Sequence, residues 1–260
     1  VRASHVLIKL EPDASPEDTV KAFKKAIAMR DKLMKAKDFG EIAAIPGNSD
    51  DPSAIKNKGD LGFFTSMQMV YPFESACYKG KIGDISMPVR TRFGYHIIKL
   101  TDKRPSRGQI RVAHIMISSK PEDAQEKQDN ARKKVEEIYG KIKSGADFGE
   151  LARQHSEDQS SSKKGGELAM FGSGRMVPEF EEVAFGLKKD NDVSEIVKTN
   201  YGYHLIKRLE LKMLEPYDEK KNELKQKIQR DSRSFLPKKS FISKLKVKYK
   251  YSEVDKGKKS

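Results

Sequence analysis

Apolar and polar positions alternate from His5 to Leu10 in a β-rich run, which predicts a first strand. ProGluAsp follows at Pro16–Asp18, its acids suited to the first turn of a helix. Val20, Phe23, Ile27 and Leu33 then fall near helical spacing, and a second short helix holds PheGlyGluIleAla at Phe39–Ala43. A strand is predicted at Gly59–Phe64 and a helix at Pro72–Tyr78, with proline near its start. A hairpin of Ile85–Val89 and Tyr95–Leu100, turning at Gly94, completes the order β-α-α-β-α-β-β. The pattern is that of an α+β domain: a four-stranded, mostly antiparallel sheet with helices packed on it.

The pattern then repeats. SerHisValLeuIle at Ser4–Ile8 returns as AlaHisIleMetIle at Ala113–Ile117, and AspPheGlyGluIleAla at Asp38–Ala43 as AspPheGlyGluLeuAla at Asp147–Ala152. GlyAspLeuGlyPhePhe at Gly59–Phe64 becomes GlyGluLeuAlaMetPhe at Gly166–Phe171, and PheGlyTyrHisIleIleLys at Phe93–Lys99 becomes TyrGlyTyrHisLeuIleLys at Tyr201–Lys207. ProGluAsp recurs at Pro121–Asp123, ahead of Val135, Ile138 and Ile142 at helical spacing, and Pro178–Phe185 matches the later helix. The period has the size of a small domain, so the chain is a duplicated domain rather than a solenoid. The expected division is 1–103 for the first domain, 104–109 for a linker, 110–210 for the second domain and 211–260 for an extension. The linker follows from the Pro, Gly and charge of Thr101–Gly108.

Composition refines this picture in three places. Of the formal net charge of +14 over 260 residues, +9 lies in Leu211–Ser260, so the basic bias is a property of the extension. Such a tail fits either a solvated lysine face or an anionic partner, nucleic acid or membrane surface. One cysteine, Cys77, excludes an internal disulfide framework, and without a counterpart in the second copy it reads as filler of a small apolar site on a helix. No apolar run reaches the ~20 residues of a membrane-spanning helix.

Each copy places two histidines in strands: His5 and His96, then His114 and His204. The residues alone leave two readings open, satisfied core histidines or a site. Leu61, Met69 and Phe73, with Leu168, Met176 and Phe180, are likewise core or pocket, and the Asp of SerAspAspPro is a turn cap or a site residue. His155, without a counterpart in the first copy, reads as a surface residue.

The order Ser/Ala-His-Val/Ile-Leu/Met-Ile, Ser-X-Asp, Gly-Asp/Glu-Leu, Met-X3-Phe, Gly-Tyr-His-Ile/Leu-Ile, met twice, resembles the parvulin (PpiC-type rotamase) family of peptidyl-prolyl cis-trans isomerases. The tandem arrangement with a flanking tail looks like the SurA-like bacterial periplasmic chaperones; PrsA-like foldases, with one such domain, are a more distant likeness. The resemblance implies a site of His5, Asp51 and His96 in the first copy and His114, Asp158 and His204 in the second. It implies prolyl pockets of Leu61, Met69 and Phe73 and of Leu168, Met176 and Phe180. It implies no cofactor or metal, and an Asp at the family's Cys-or-Asp position argues against covalent chemistry. The implied partners are unfolded or proline-containing polypeptides, outer-membrane protein precursors among them, with no specific nucleic acid, in the periplasm. A competing expectation is a non-enzymatic chaperone with one or both copies catalytically silent. The acid-rich loops after the first strand of each copy, with one lysine each, predict no phosphate preference.

The extension is expected to hold a helix from Pro216 that Pro237 ends, and then a strand in which Leu245, Val247, Tyr249 and Tyr251 alternate with lysines. A lone strand needs a partner. In the family such a segment packs with an N-terminal region, so the expectation is a fragment of a longer protein with a partly displaced tail.

Overall fold

A computed structural model describes residues 1–251. Its first half runs β1 (Arg2–Lys9), α1 (Pro16–Lys35), α2 (Phe39–Ala43), α3 (Ala54–Asn57), β2 (Asp60–Phe63), α4 (Tyr71–Lys79), β3 (Val89–Thr91) and β4 (Gly94–Asp102). The second half repeats it as β5 (Gln109–Ser118), α5 (Gln125–Lys143), α6 (Phe148–His155), α7 (Pro178–Gly186), β6 (Val197–Thr199) and β7 (Gly202–Lys212). Two more helices follow, α8 (Tyr217–Arg230) and α9 (Phe235–Lys248).

The first sheet is antiparallel in the order β2-β1-β4-β3. Side chains alternate across it. Val6, Ile8, Tyr95 and Ile97 pack under α1 and α2 with Ala26, Met29, Leu33 and Phe39. Ala3, Ile98 and Leu100 meet Phe64, Phe73 and Cys77 of the α4 side. His5 and His96, set between those positions by the two-residue period, therefore lie on the α4 side. The second unit repeats this division, with Ile115, Ile117 and Leu205 under α5 and α6 and Ile110, Val112 and Ile206 under α7.

Several expectations change. The second sheet has three strands, β5-β7-β6, not four. The stretch matching β2 touches β5 only through isolated bridges, Ala113↔Glu167 and Ile110↔Phe171. The bulge in β5 between Arg111 and Val112 matches the one in β1 between Arg2 and Ala3, so the irregularity is common to both copies. In the first copy Ile85 makes only a bridge to Lys99, and the regular strand is Val89–Thr91. ProGluAsp of the second copy lies before α5, with the Asp123 carboxylate accepting from the Lys120 N–H in a turn. The inward face of α1 is Ala26, Met29 and Leu33, while Val20 and Phe23 are exposed. Cys77 is buried as expected, and burial pushes its thiol up to about 12.

The expected strand of Leu245–Tyr251 is not formed; Leu245 to Lys248 close α9. Alternation yields a strand only where a sheet edge accepts it. Without one, a segment of leucine and lysine takes its helical preference. Pro237 does not end a helix but lies in the first turn of α9, where its missing N–H costs nothing. Neither α8 nor α9 has a buried residue, yet Arg233 between them reaches the first unit and pairs with Glu74. The part of the extension beyond Tyr251 lies outside the described residues.

Candidate functional site

The strand register sets the site. His5 on β1 and His96 on β4 stack with ring centroids 5.3 Å apart. Their Nδ1 atoms are 3.1 Å apart, so one donates to the other. His5 Nε2 lies 2.7 Å from Asp51 Oδ2, and His96 Nε2 lies 2.8 Å from Thr91 Oγ1. Burial lowers the pKa of His5, outweighing the pull of Asp51. Burial, with His5 alongside, lowers His96 to about 4. Both rings are thus neutral near pH 7, and neutrality fixes the direction of the chain. Asp51 can only accept, so His5 donates from Nε2 and accepts at Nδ1. His96 then donates from Nδ1 and accepts the Thr91 hydroxyl proton at Nε2.

Asp51 is held by its own turn. Burial raises its pKa, but the Ser53 N–H, the Ser53 hydroxyl and His5 together hold the carboxyl below the usual range. Phe73 on α4 stands edge-on to both imidazoles, at 5.7 Å from His5 and 5.3 Å from His96. Leu61 and Met69 pack beside it, each partly exposed, so an apolar wall adjoins the neutral hydrogen-bonded chain.

The second copy assembles the same parts with one break. His114 Nε2 lies 2.7 Å from Asp158 Oδ2, and His204 Nε2 lies 2.8 Å from Thr199 Oγ1. Burial lowers His114, and burial with His114 alongside lowers His204 to about 4. Phe180 is edge-on to both rings, with Leu168 and Met176 beside it. The rings, however, are 5.7 Å apart, and among the described residues neither His114 Nδ1 nor His204 Nδ1 has a partner. Ser161 enters instead: its hydroxyl donates to Asp158 and lies 3.1 Å from His114 Nε2. Burial opposes ionisation of Asp158, yet Ser161, Ser160 and His114 hold it well below the usual carboxylate range.

All twelve residues singled out in the sequence therefore gather at two places, six at each. His155, half-buried at the end of α6, joins neither. Thr91, Thr199, Ser53, Ser160 and Ser161 were missed. For four of them the repeat carried the signal, because ThrArgPheGlyTyrHis matches ThrAsnTyrGlyTyrHis and a serine stands two residues after each Asp. Ser161 had none, since Ala54 occupies its place in the first copy.

Residues 5–102 and 99–212 each match the family described as PPIC-type PPIASE domain. The chain is 35% identical over 209 residues to a protein named Chaperone SurA from Saccharophagus degradans, covering 78% of this chain and 46% of that protein. It is 35% identical over 213 residues to the Chaperone SurA of Methylococcus capsulatus, covering 80% and 45% respectively. The chain thus spans about half the length of the curated relatives it matches. A crystal structure titled peptidylprolyl isomerase (PrsA) from Bacillus anthracis is 28% identical, covers 94% of this chain and 93% of its own, and aligns with a TM-score of 0.39. Among the described residues, no helix is long and apolar enough to cross a membrane.

Proposed function

Because the chain belongs to the PPIC-type peptidyl-prolyl isomerase family and carries two such domains in tandem, we propose that it isomerises X-Pro bonds in unfolded, exported polypeptides and holds those polypeptides as a folding chaperone. The observation that carries this reading is the pairing, at His5 and His96, of a neutral hydrogen-bonded chain with the apolar wall of Leu61, Met69 and Phe73.

Rotation about an X-Pro amide meets a barrier of ~18–20 kcal/mol because it breaks amide resonance. The twisted amide has less charge separation than the planar one, so an apolar surround that strips water from it favours the transition state. Leucine, methionine and phenylalanine grip the pyrrolidine ring, which has no N–H to satisfy, and methionine adapts to its shape. His5, Asp51 and His96, and their counterparts His114, Asp158 and His204, tune the polar side of the site without giving up a proton to the substrate. No nucleophile takes part. The clients are proposed to be outer-membrane protein precursors in the periplasm, with the chain binding them through both pockets.

One observation favours a division of labour. The second copy lacks the Nδ1–Nδ1 hydrogen bond, so it is the candidate for a binding module beside an active first copy. Protease-free exchange measurements on a prolyl peptide test both points in the full chain. Met69→Ala/Phe73→Ala should remove most turnover, and Met176→Ala/Phe180→Ala a smaller share. Turnover unchanged with all four replaced would overturn the site.

A further inference from the structure

Directly after each pocket phenylalanine stands a buried glutamate, Glu74 after Phe73 and Glu181 after Phe180, at 5% and 3% exposure. Each reaches back seven residues. Glu74 Oε2 accepts the Met67 N–H at 2.5 Å, and Glu181 Oε2 accepts the Gly174 N–H at 2.7 Å. These amides belong to residues at φ +68° and +79°, a left-handed conformation that a methionine adopts only under constraint. The turn so fixed places the pocket methionine, Met69 or Met176, two residues further on.

A carboxylate buried this far needs a cation, and an unpaired one would be costly. Among the described residues, the cation paired with Glu74 is Arg233, whose Nη1 and Nη2 lie 3.2 Å from its two oxygens. Arg233 comes from the turn between α8 and α9. Glu181 pairs with Arg107 at 3.2 Å, from the segment between β4 and β5, with Arg104 further off at 3.7 Å. Each guanidinium also lies over an aromatic ring of the same helix, Arg233 over Tyr71 at 4.8 Å and Arg107 over Phe185 at 4.4 Å. The glutamates are part of the repeat and the arginines are not. Two unrelated segments have arrived at one arrangement.

We propose that Glu74 and Glu181 are positioning residues for the two prolyl pockets, and that each is completed by an arginine from outside its own unit, Arg233 from the extension and Arg107 from the linker. The extension is thereby a working part of the first isomerase domain: it holds the Met67–Met69 turn, and with it one wall of the pocket. This rests on the isomerase reading above.

The test uses the full chain with the second copy silenced by Met176→Ala/Phe180→Ala. Arg233→Ala should raise KM for a prolyl peptide roughly tenfold while kcat changes little, the pattern of lost substrate binding. Adding Glu74→Gln should restore most of the affinity, because glutamine still accepts the Met67 N–H and carries no charge to neutralise. The Met69 methyl resonance should move in Arg233→Ala and return in the double variant, a readout independent of turnover. An unmoved KM and an unmoved resonance in Arg233→Ala would overturn the inference. So would a defect that Glu74→Gln fails to rescue, since the arginine would then act otherwise than by charge. If this parent turns nothing over, the isomerase reading of the first copy fails while the methyl resonance still decides the positioning role.

Discussion

His5 and His96 meet through their Nδ1 atoms at 3.1 Å, a contact possible only while at least one of the two nitrogens is unprotonated. Both rings are depressed, His96 to about 4 against an ordinary 6.5, and His204 likewise. The unfolded chain therefore binds protons at these positions that the folded chain refuses. Stability is full above pH 6.5 and is lost as pH falls from there to about 4, levelling off below. A shift of this size sets an upper bound of about 3 kcal/mol per histidine. Urea unfolding at pH 7.5, 6 and 4.5 should show the loss, and His96→Gln should flatten it. Equal stability at all three values would mean that the rings are not buried neutral.

Ser161 separates the two copies chemically, and its removal should make the second resemble the first. Ser161→Ala takes one donor from Asp158, whose carboxyl should then titrate higher, towards Asp51. The stability cost should be about 1 kcal/mol, that of one buried hydrogen bond. Carboxylate NMR titration of Asp158 and thermal unfolding check the two expectations separately.

Much of this was legible in the sequence because chemistry and core repeat together. The histidines, the aspartates and the Met-X3-Phe helices recur with their neighbours, and a two-residue period assigns both histidines of each copy to one sheet face. What escaped reading depends on contacts that no local pattern encodes. The inward stripe of α1 uses Ala26, a small side chain that lets helix and sheet approach closely, while the larger Val20 and Phe23 remain outside. The alternation at the end of the chain reads as a strand, yet a strand is a property of two segments. Arg233 and Arg107 come from unrelated segments, so comparing the copies could not show that they do the same thing.

The expectation of no phosphate preference has a structural argument in the first copy. Arg90 reaches the loop after β1, and its guanidinium is spent on carbonyl oxygens of Leu10, Glu11 and Thr91. Lys9 is paired with Glu11 at 3.1 Å. A dianion there would have to displace these bonds and face the Glu11 carboxylate. Matched peptides with and without phosphate before the proline should be turned over at similar kcat/KM. A large phosphopeptide advantage would refute this.

The two units touch through the loops that carry their pocket methionines, where Gly174 packs against Phe63. Gln68 Nε2 donates to the Ser173 carbonyl at 2.8 Å. A Cβ on Gly174 would stand 2.7 Å from the Phe63 carbonyl oxygen, at a φ of +79° that side chains rarely adopt. Gly174→Ala should therefore push the units apart or shift the turn bearing Met176. Strain of this kind costs on the order of 1–3 kcal/mol. Gly140→Ala is the control: nothing lies within 4 Å of the added carbon in α5, and a helix-interior glycine replaced by alanine gains roughly 0.5–1 kcal/mol. Thermal unfolding should move in opposite directions for the two variants. Small-angle scattering should show a larger particle for Gly174→Ala alone. Unchanged dimensions and stability in that variant would mean that the Gln68–Ser173 contact does not hold the units together in solution.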